Sequence, residues 1–200
     1  MSNETELLQQ ANAGDQKAMR GLVSLYSNAE KGLKDATKFM TWLQKLAGLK
    51  DPEMMFHLGC ILIGMEESFL ASFPELRATH VKPVEGYLML YDGCVAAEEK
   101  APNKQFAFSI MSNVFNLYHK ETHPNNAGNS IFSGEKLVEA KRRKADVAAR
   151  ALKVIENNYN DFPEESRDDL IEVWKKMSAA AAGEAESTAN IVDAVSKING

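Results

Sequence analysis

Apolar residues in this 200-residue chain recur at three- and four-residue steps almost from end to end, and the alternation that a half-buried strand needs is nearly absent. That period dictates amphipathic helices, so the expected fold class is all-α. Ala18, Leu22, Leu25 and Ala29 make one stripe, and Phe39, Leu43, Leu46 and Ala47 make the next. Between them Gly32 is a helix-stop signal and Asp35 a candidate N-cap. A third helix opens at Asp51-Pro52, where proline's missing amide proton costs nothing at the first helical position, and runs to Gly64.

Residues 65–83 are too many for a tight helix-helix turn and too apolar for a linker. They predict an insertion with a short helix over Glu66–Ser72 and a loop ended by Pro83. From Val84 to Lys100 the inward stripe is Tyr87, Leu88, Tyr91 and Val95. From Lys104 to Lys120 it is Ala107, Ile110, Met111, Val114 and Tyr118. Residues 123–134 hold one Pro, three Asn, two Gly and two Ser, the composition of a loop and a candidate subdomain boundary. A long helix over Glu135–Tyr159 follows, with Val138, Ala145, Ala148, Leu152, Ile155 and Tyr159 inward. Pro163 opens another, which buries Leu170, Trp174 and Met177, and the tail carries Ala189, Val192 and Val195 at helical spacing.

The chain also echoes itself at an offset of 36: Asp15 meets Asp51, Met19 meets Met55, Leu22 meets Leu58, Leu25 meets Ile61 and Tyr26 meets Leu62. Two unrelated amphipathic helices share a period, but not a capping residue with the same stripe in phase. Two helices per repeat make a helical-hairpin solenoid unit. Gly14-Asp15, Ala18, Leu22, Leu25-Tyr26, Gly32-Leu33, Asp35, Lys38, Trp42, Lys45 and Ala47 fall in the order of one Sel1-like repeat, which this stretch resembles. Residues 50–64, with Leu58-Gly59, are similar to the start of a second, and a degraded third copy begins at Lys104. The second copy loses its glycine-aliphatic linker to the 65–83 insertion and lacks the tryptophan, and nothing after residue 134 matches. The resemblance implies a Sel1-like, tetratricopeptide-related solenoid over residues 1–122, then the 123–134 loop, then C-terminal helices over 135–200 that pack on or cap it. Ala18 sits where helices cross closely, Leu22 and Leu25 fill the core between helices, and Trp42 is placed to bridge hairpins.

Several classes of function are disfavoured by composition. The formal charge is -5, which gives no electrostatic reason to expect nucleic acid. Cys60 and Cys94 are too few for a disulfide framework and read as buried thiols. The N-terminal residues lack the pattern of a signal peptide, and the longest apolar stretch, Cys60 to Met65, is far short of a membrane span. The expectation is a soluble cytoplasmic protein with neither a membrane nor a nucleic-acid partner and no cofactor.

Catalytic motifs are sparse. His119 and His123 lie four apart with Glu121 between, yet a stable metal site needs further ligands, and Pro124 ends the helix there. A solvent-exposed helix end is the expected reading. His57 and Cys60, three apart, raise the idea of an activated thiol, but the repeat register sets both beside the core stripe. The Lys141–Lys144 run, KRRK, points almost all the way round a helix axis and reads as a solvated face.

Stacked hairpins offer a concave groove lined by the first helix of each pair, a surface suited to a peptide or protein. With Leu22 and Leu25 inward, Lys17, Arg20, Ser24 and Asn28 face outward, with Glu53, Phe56 and Cys60 at or near the matching sites of the second copy. Arg20 and Phe56, equivalent by the offset, are the expected contacts because arginine and aromatics carry interface energy disproportionately. The resemblance implies a non-enzymatic adaptor or scaffold. A small acidic member of this kind also suits an immunity protein that neutralises a bacterial toxin. The rival from another class is a metal-dependent or thiol hydrolase built on the His119/His123 or His57/Cys60 pair.

Overall fold

The computed structural model describes residues 3–27, 34–65, 73, 74, 76, 80–126 and 128–199. Ala29, Gly32, Leu33, Asn28 and the short helix expected over Glu66–Ser72 lie outside the described residues. The described chain is all-helical, without a strand. Its α-helices are α1 (Asn3–Asn12), α2 (Gln16–Ser27), α3 (Ala36–Gly48), α4 (Pro52–Leu62), α5 (Pro83–Lys100), α6 (Lys104–Thr122), α7 (Gly134–Asn157) and α8 (Arg167–Asn199). By its internal contacts the chain divides into residues 1–93 and 94–200, so the division falls within α5, and the 123–134 loop joins α6 to α7 inside the second unit.

In the first unit each helix packs on its neighbour in sequence, α1 on α2, α2 on α3 and α3 on α4. Two corners enforce this with the same backbone device. After α1, Gly14 takes a φ of +98° and its N–H donates to the Ala11 carbonyl, while the Asp15 N–H reaches back to Gln10. After α3, Lys50 takes a φ of +61°, its N–H donates to Ala47 and the Asp51 N–H reaches back to Leu46. Both are Schellman motifs, in which a left-handed residue lets two amides satisfy the last carbonyls of the helix. Each aspartate then caps the next helix: Asp15 accepts from Lys17 and Ala18 N–H, and Asp51 accepts from Met54 N–H. Every donor and acceptor of the second corner's Schellman pair lies 36 residues after its counterpart in the first, and the phase-matched side chains share their burial. Met19 and Met55 are both buried, as are Leu22 and Leu58, Leu25 and Ile61, and Ala11 and Ala47.

Helix α1, which the periodicity left unread, lies on α2 with Leu7 against Gly21. The Tyr26 hydroxyl donates to Glu4 at 2.7 Å and Lys38 reaches the same carboxylate at 3.3 Å. Those hydrogen bonds, Tyr26 first, hold the Glu4 carboxyl below its usual range. Asp35 caps α3 as expected, accepting from Lys38 N–H at 2.9 Å. Trp42 is buried, with the Lys45 ammonium 4.7 Å from its ring centre.

Helix α4 meets α5 through glycine. A methyl group added at Gly59 would stand 2.6 Å from Leu90 Cγ, and one at Gly86 would stand 2.9 Å from the Ile63 backbone nitrogen. This close approach sets which face of α5 turns inward. The buried stripe is Tyr87, Leu90, Cys94 and Ala97, whereas Leu88 is exposed and Tyr91 and Val95 are half-buried. The expected stripe of Tyr87, Leu88, Tyr91 and Val95 is thus rotated, because Gly86, Leu90 and Gly93 form the face that packs closely against α4.

The second unit packs α6 on α7 and α7 on α8. Asn103 caps α6 by accepting from Gln105 and Phe106 N–H. All five residues expected inward on α6, Ala107, Ile110, Met111, Val114 and Tyr118, are buried. Trp174 of α8 meets Phe108 and Phe115 of α6 edge to face, at 5.3 and 5.4 Å between ring centres. Leu170 and Met177 are half-buried, and α8 runs unbroken through the tail to Asn199.

The inward face of α7 departs from expectation. Val138, Ala148 and Ile155 are buried, but Ala145, Leu152 and Tyr159 are only half-buried. Lys141 and Lys144 of the basic run are buried rather than solvated: Lys141 donates to Thr188 Oγ1 at 3.0 Å and Lys144 to Glu184 at 2.5 Å. Arg142 is exposed, and half-buried Arg143 pairs with Glu139 at 3.1 Å. Glu98, at the end of α5, takes Arg150 at 2.5 Å and Lys153 at 2.6 Å. Burial pushes the Glu98 carboxyl up, but the hydrogen bonds from Lys153 and Arg150 outweigh it and hold the group below its usual range.

Two predictions follow from these contacts. Lys50 holds a left-handed conformation that glycine adopts freely, so Lys50→Gly raises stability by about 0.5–1 kcal/mol and Gly14→Ala lowers it by about 1–2 kcal/mol in urea unfolding. Equal effects of the two would show that the corners do not share a backbone device. Because Glu98 is depressed in the folded state, its contribution is present above the unfolded value of about 4.3 and is lost as pH falls through the lower folded value. Glu98→Gln therefore flattens the fall in stability measured from about pH 4.5 downward, and an unchanged slope counts against the ion triad.

Candidate functional site

The first unit holds a cleft of about 390 Å³ between α2 and α4, floored by α3. Helix α2 supplies Arg20, Val23, Ser24 and Ser27, one face of its cylinder at steps of three and one and three. Helix α4 supplies Glu53, Met54, His57 and Ile61, and α3 contributes Phe39 and Leu43 between them. The floor is apolar and the rim polar, the arrangement usual for a site that recognises another molecule's side chains.

Arg20 is the anchor of the rim. Its Nε donates to Asp51 Oδ2 at 2.9 Å and its Nη2 to Asp51 Oδ1 at 2.8 Å, a fork-to-fork pair, while Nη1 pairs with Glu53. The Asp51 side chain is only 4% exposed, against 41% for Arg20 and 36% for Glu53. One carboxylate therefore caps α4 and ties it to α2. Burial lowers the Arg20 pKa, but the hydrogen bond that it donates to Glu53 and the charge of Asp51 outweigh this and raise it, so the guanidinium stays charged.

Of the residues expected to contact a partner, Arg20, Ser24 and Glu53 come together on this cleft. Lys17 is exposed one turn earlier on α2 and Phe56 is half-buried with its ring edge toward His57; neither lines the cleft. Asn28 lies outside the described residues. Arg20 is not freely offered as the sequence suggested, since it is held by two carboxylates. Phe56, expected with Arg20 as a groove contact, does not line this cleft. Positions matched by the offset of 36 lie at the same register of α2 and α4, so a flank of α2 that faces the gap is not matched by the flank of α4 that faces it. The cleft takes facing flanks instead, which is why His57 and Met54 line it. That flank was available in the sequence as Glu53, His57 and Ile61, four residues apart on one face.

A second cavity of about 560 Å³ lies on α3, α4 and α5, with Ala47, Met55, Leu58 and Met89 set among Lys50, Lys82, Glu85 and Asp92. No sequence expectation addressed it.

The remaining candidates are held apart from these cavities. His119 stacks on Phe115 and meets the His123 ring edge at 5.3 Å. Burial, the Lys144 ammonium and His123 hold its pKa below the usual histidine value. Helix α6 ends at Thr122, and His123 Nδ1 accepts the Asn125 N–H at 3.2 Å. Cys60 and Cys94 are buried, and burial pushes the Cys94 thiol well up, away from a reactive thiolate. Among the described residues no three His, Cys, Asp or Glu side chains gather as a metal ion requires, and no helix is long and apolar enough to cross a membrane.

Comparison with family models, with curated proteins and with solved structures finds no match to this chain.

The clamp gives a direct test. Arg20→Ala leaves the Asp51 carboxylate buried without its counter-ion and costs about 1–3 kcal/mol, less than a fully buried pair because Arg20 is partly solvated. Arg20→Lys recovers only part of this, since an ammonium cannot match the fork. Full recovery by lysine in urea unfolding would mean the bidentate geometry contributes nothing.

Proposed function

We propose that this chain is a non-enzymatic protein-interaction module of the Sel1-like kind, which binds a protein or peptide segment in the cleft between α2 and α4. The observation that carries the reading is the cleft's position: it lies between α2 and α4, and the corners that open these two helices match donor for donor at an offset of 36. A concave surface between parallel first helices is where stacked hairpins present side chains to a ligand. The cleft's apolar floor and narrow polar rim suit an inserted side chain.

A photo-crosslinking amino acid placed at Ser24 tests this in native lysate, with the exposed Ser187 of α8 as the control position. The expected result is a discrete adduct from Ser24 that is absent from Ser187 and disappears when Glu53→Gln and Leu43→Ala are combined with it. Adducts of equal yield from both positions would refute binding at the cleft. Hydrolytic activity of the purified chain that is lost with His57→Ala would replace this reading with the enzymatic one.

A further inference from the structure

The charges around the α2–α4 cleft do not balance. Arg20 is the cation among its lining residues apart from His57, and it is engaged by two carboxylates, Asp51 and Glu53, so the triad carries one net negative charge. Asp51 is buried beneath the guanidinium, while Glu53 keeps about a third of its side chain in solvent at the mouth. The uncompensated charge is thus presented at Glu53, directly beside an apolar floor of Phe39, Leu43, Met54 and Ile61.

We infer that the cleft selects a peptide segment that inserts one bulky apolar side chain over Phe39, Leu43, Met54 and Ile61 and sets a neighbouring lysine or arginine against Glu53. This rests on the reading of the cleft as a protein-binding site and adds the chemistry of what it takes. An acidic ligand fits badly, because it would compete with Asp51 for a guanidinium already held at both ends, and displacing Asp51 would strip α4 of its tie to α2. A cation meets Glu53 without disturbing the fork on Asp51. The volume sets the scale: about 390 Å³ lies near the low end of the roughly 300–1,000 Å³ of ligand pockets, room for one or two side chains rather than a large cofactor. Ser24 and Ser27 on the α2 rim supply hydroxyls for the backbone of such a segment.

The test is selection of a phage-displayed library of random short peptides on the intact chain, followed by fluorescence anisotropy of the selected peptides with the wild type, Glu53→Gln and Ser24→Trp. The expected consensus is a bulky apolar residue beside Lys or Arg. Glu53→Gln should weaken such peptides about tenfold, with the loss shrinking at high salt, and Ser24→Trp should abolish binding by filling the cleft. Glu53→Gln leaves Arg20 paired with Asp51, so a folded variant is expected and its circular dichroism confirms it. An acidic or uncharged consensus that Ser24→Trp still blocks overturns the inferred chemistry and leaves the cleft as a binding site. Peptides whose binding ignores Ser24→Trp, or a failure to enrich any, overturn both.

Discussion

The Asp51 carboxylate is the point on which the first unit's arrangement turns. It accepts the Met54 N–H that begins α4 and takes two donors from Arg20 of α2, while its own backbone N–H closes the end of α3. Three successive helices are thereby referred to one buried group. A carboxylate this buried is tolerable only when its charge is matched and its lone pairs are filled, and the arginine fork meets both conditions. Asp15, at the equivalent corner, caps α2 in an exposed setting and, among the described residues, forms no ion pair of this kind. The same residue type at the same register thus has a heavier structural task in the second corner than in the first.

The two units rely on different packing. In the first, small residues let helices approach: Gly21 receives Leu7, and Gly59 and Gly86 bring α4 and α5 close enough that a methyl group would collide. In the second, an aromatic cluster around Trp174 joins α6 to α8, and α7 meets α8 through polar contacts from two buried lysines. Alanine-rich faces such as those of α7 and α8 bury little apolar area per residue. Long lysine stems that lie along the interface and end on Thr188 and Glu184 cover more of it than alanine would.

Much of the fold was legible because its signals are local. The caps at Asp35 and Asp51, the proline at the start of α4 and the inward stripe of α6 follow from residue type and spacing, and the structure has them where the sequence placed them. The site was legible only in part. Ser24, Arg20 and Glu53 do converge, but helical periodicity reports which side of a helix faces outward, not which of two neighbours that side looks toward. Phe56, expected like Arg20 to be a groove contact, does not line the cleft for that reason. The burial of the basic run was illegible on similar grounds: a lysine's burial depends on whether another helix brings an oxygen to its tip, and the partners of Lys144 and Lys141, Glu184 and Thr188, lie 40 and 47 residues away in sequence.

The sequence by itself determined that the chain is helical, where several of its helices begin, and that two corners 36 residues apart use the same capping chemistry. These depend on hydrogen bonds closed within a few residues, so local order is enough to specify them. Only the tertiary structure decided that Arg20 is a clamp, that the α2–α4 gap is open and floored by α3, and which face of α5 turns inward. Those outcomes depend on distances between segments that the chain brings together by folding, where the size of a single side chain at Gly59 or the reach of one guanidinium selects among arrangements with the same periodicity.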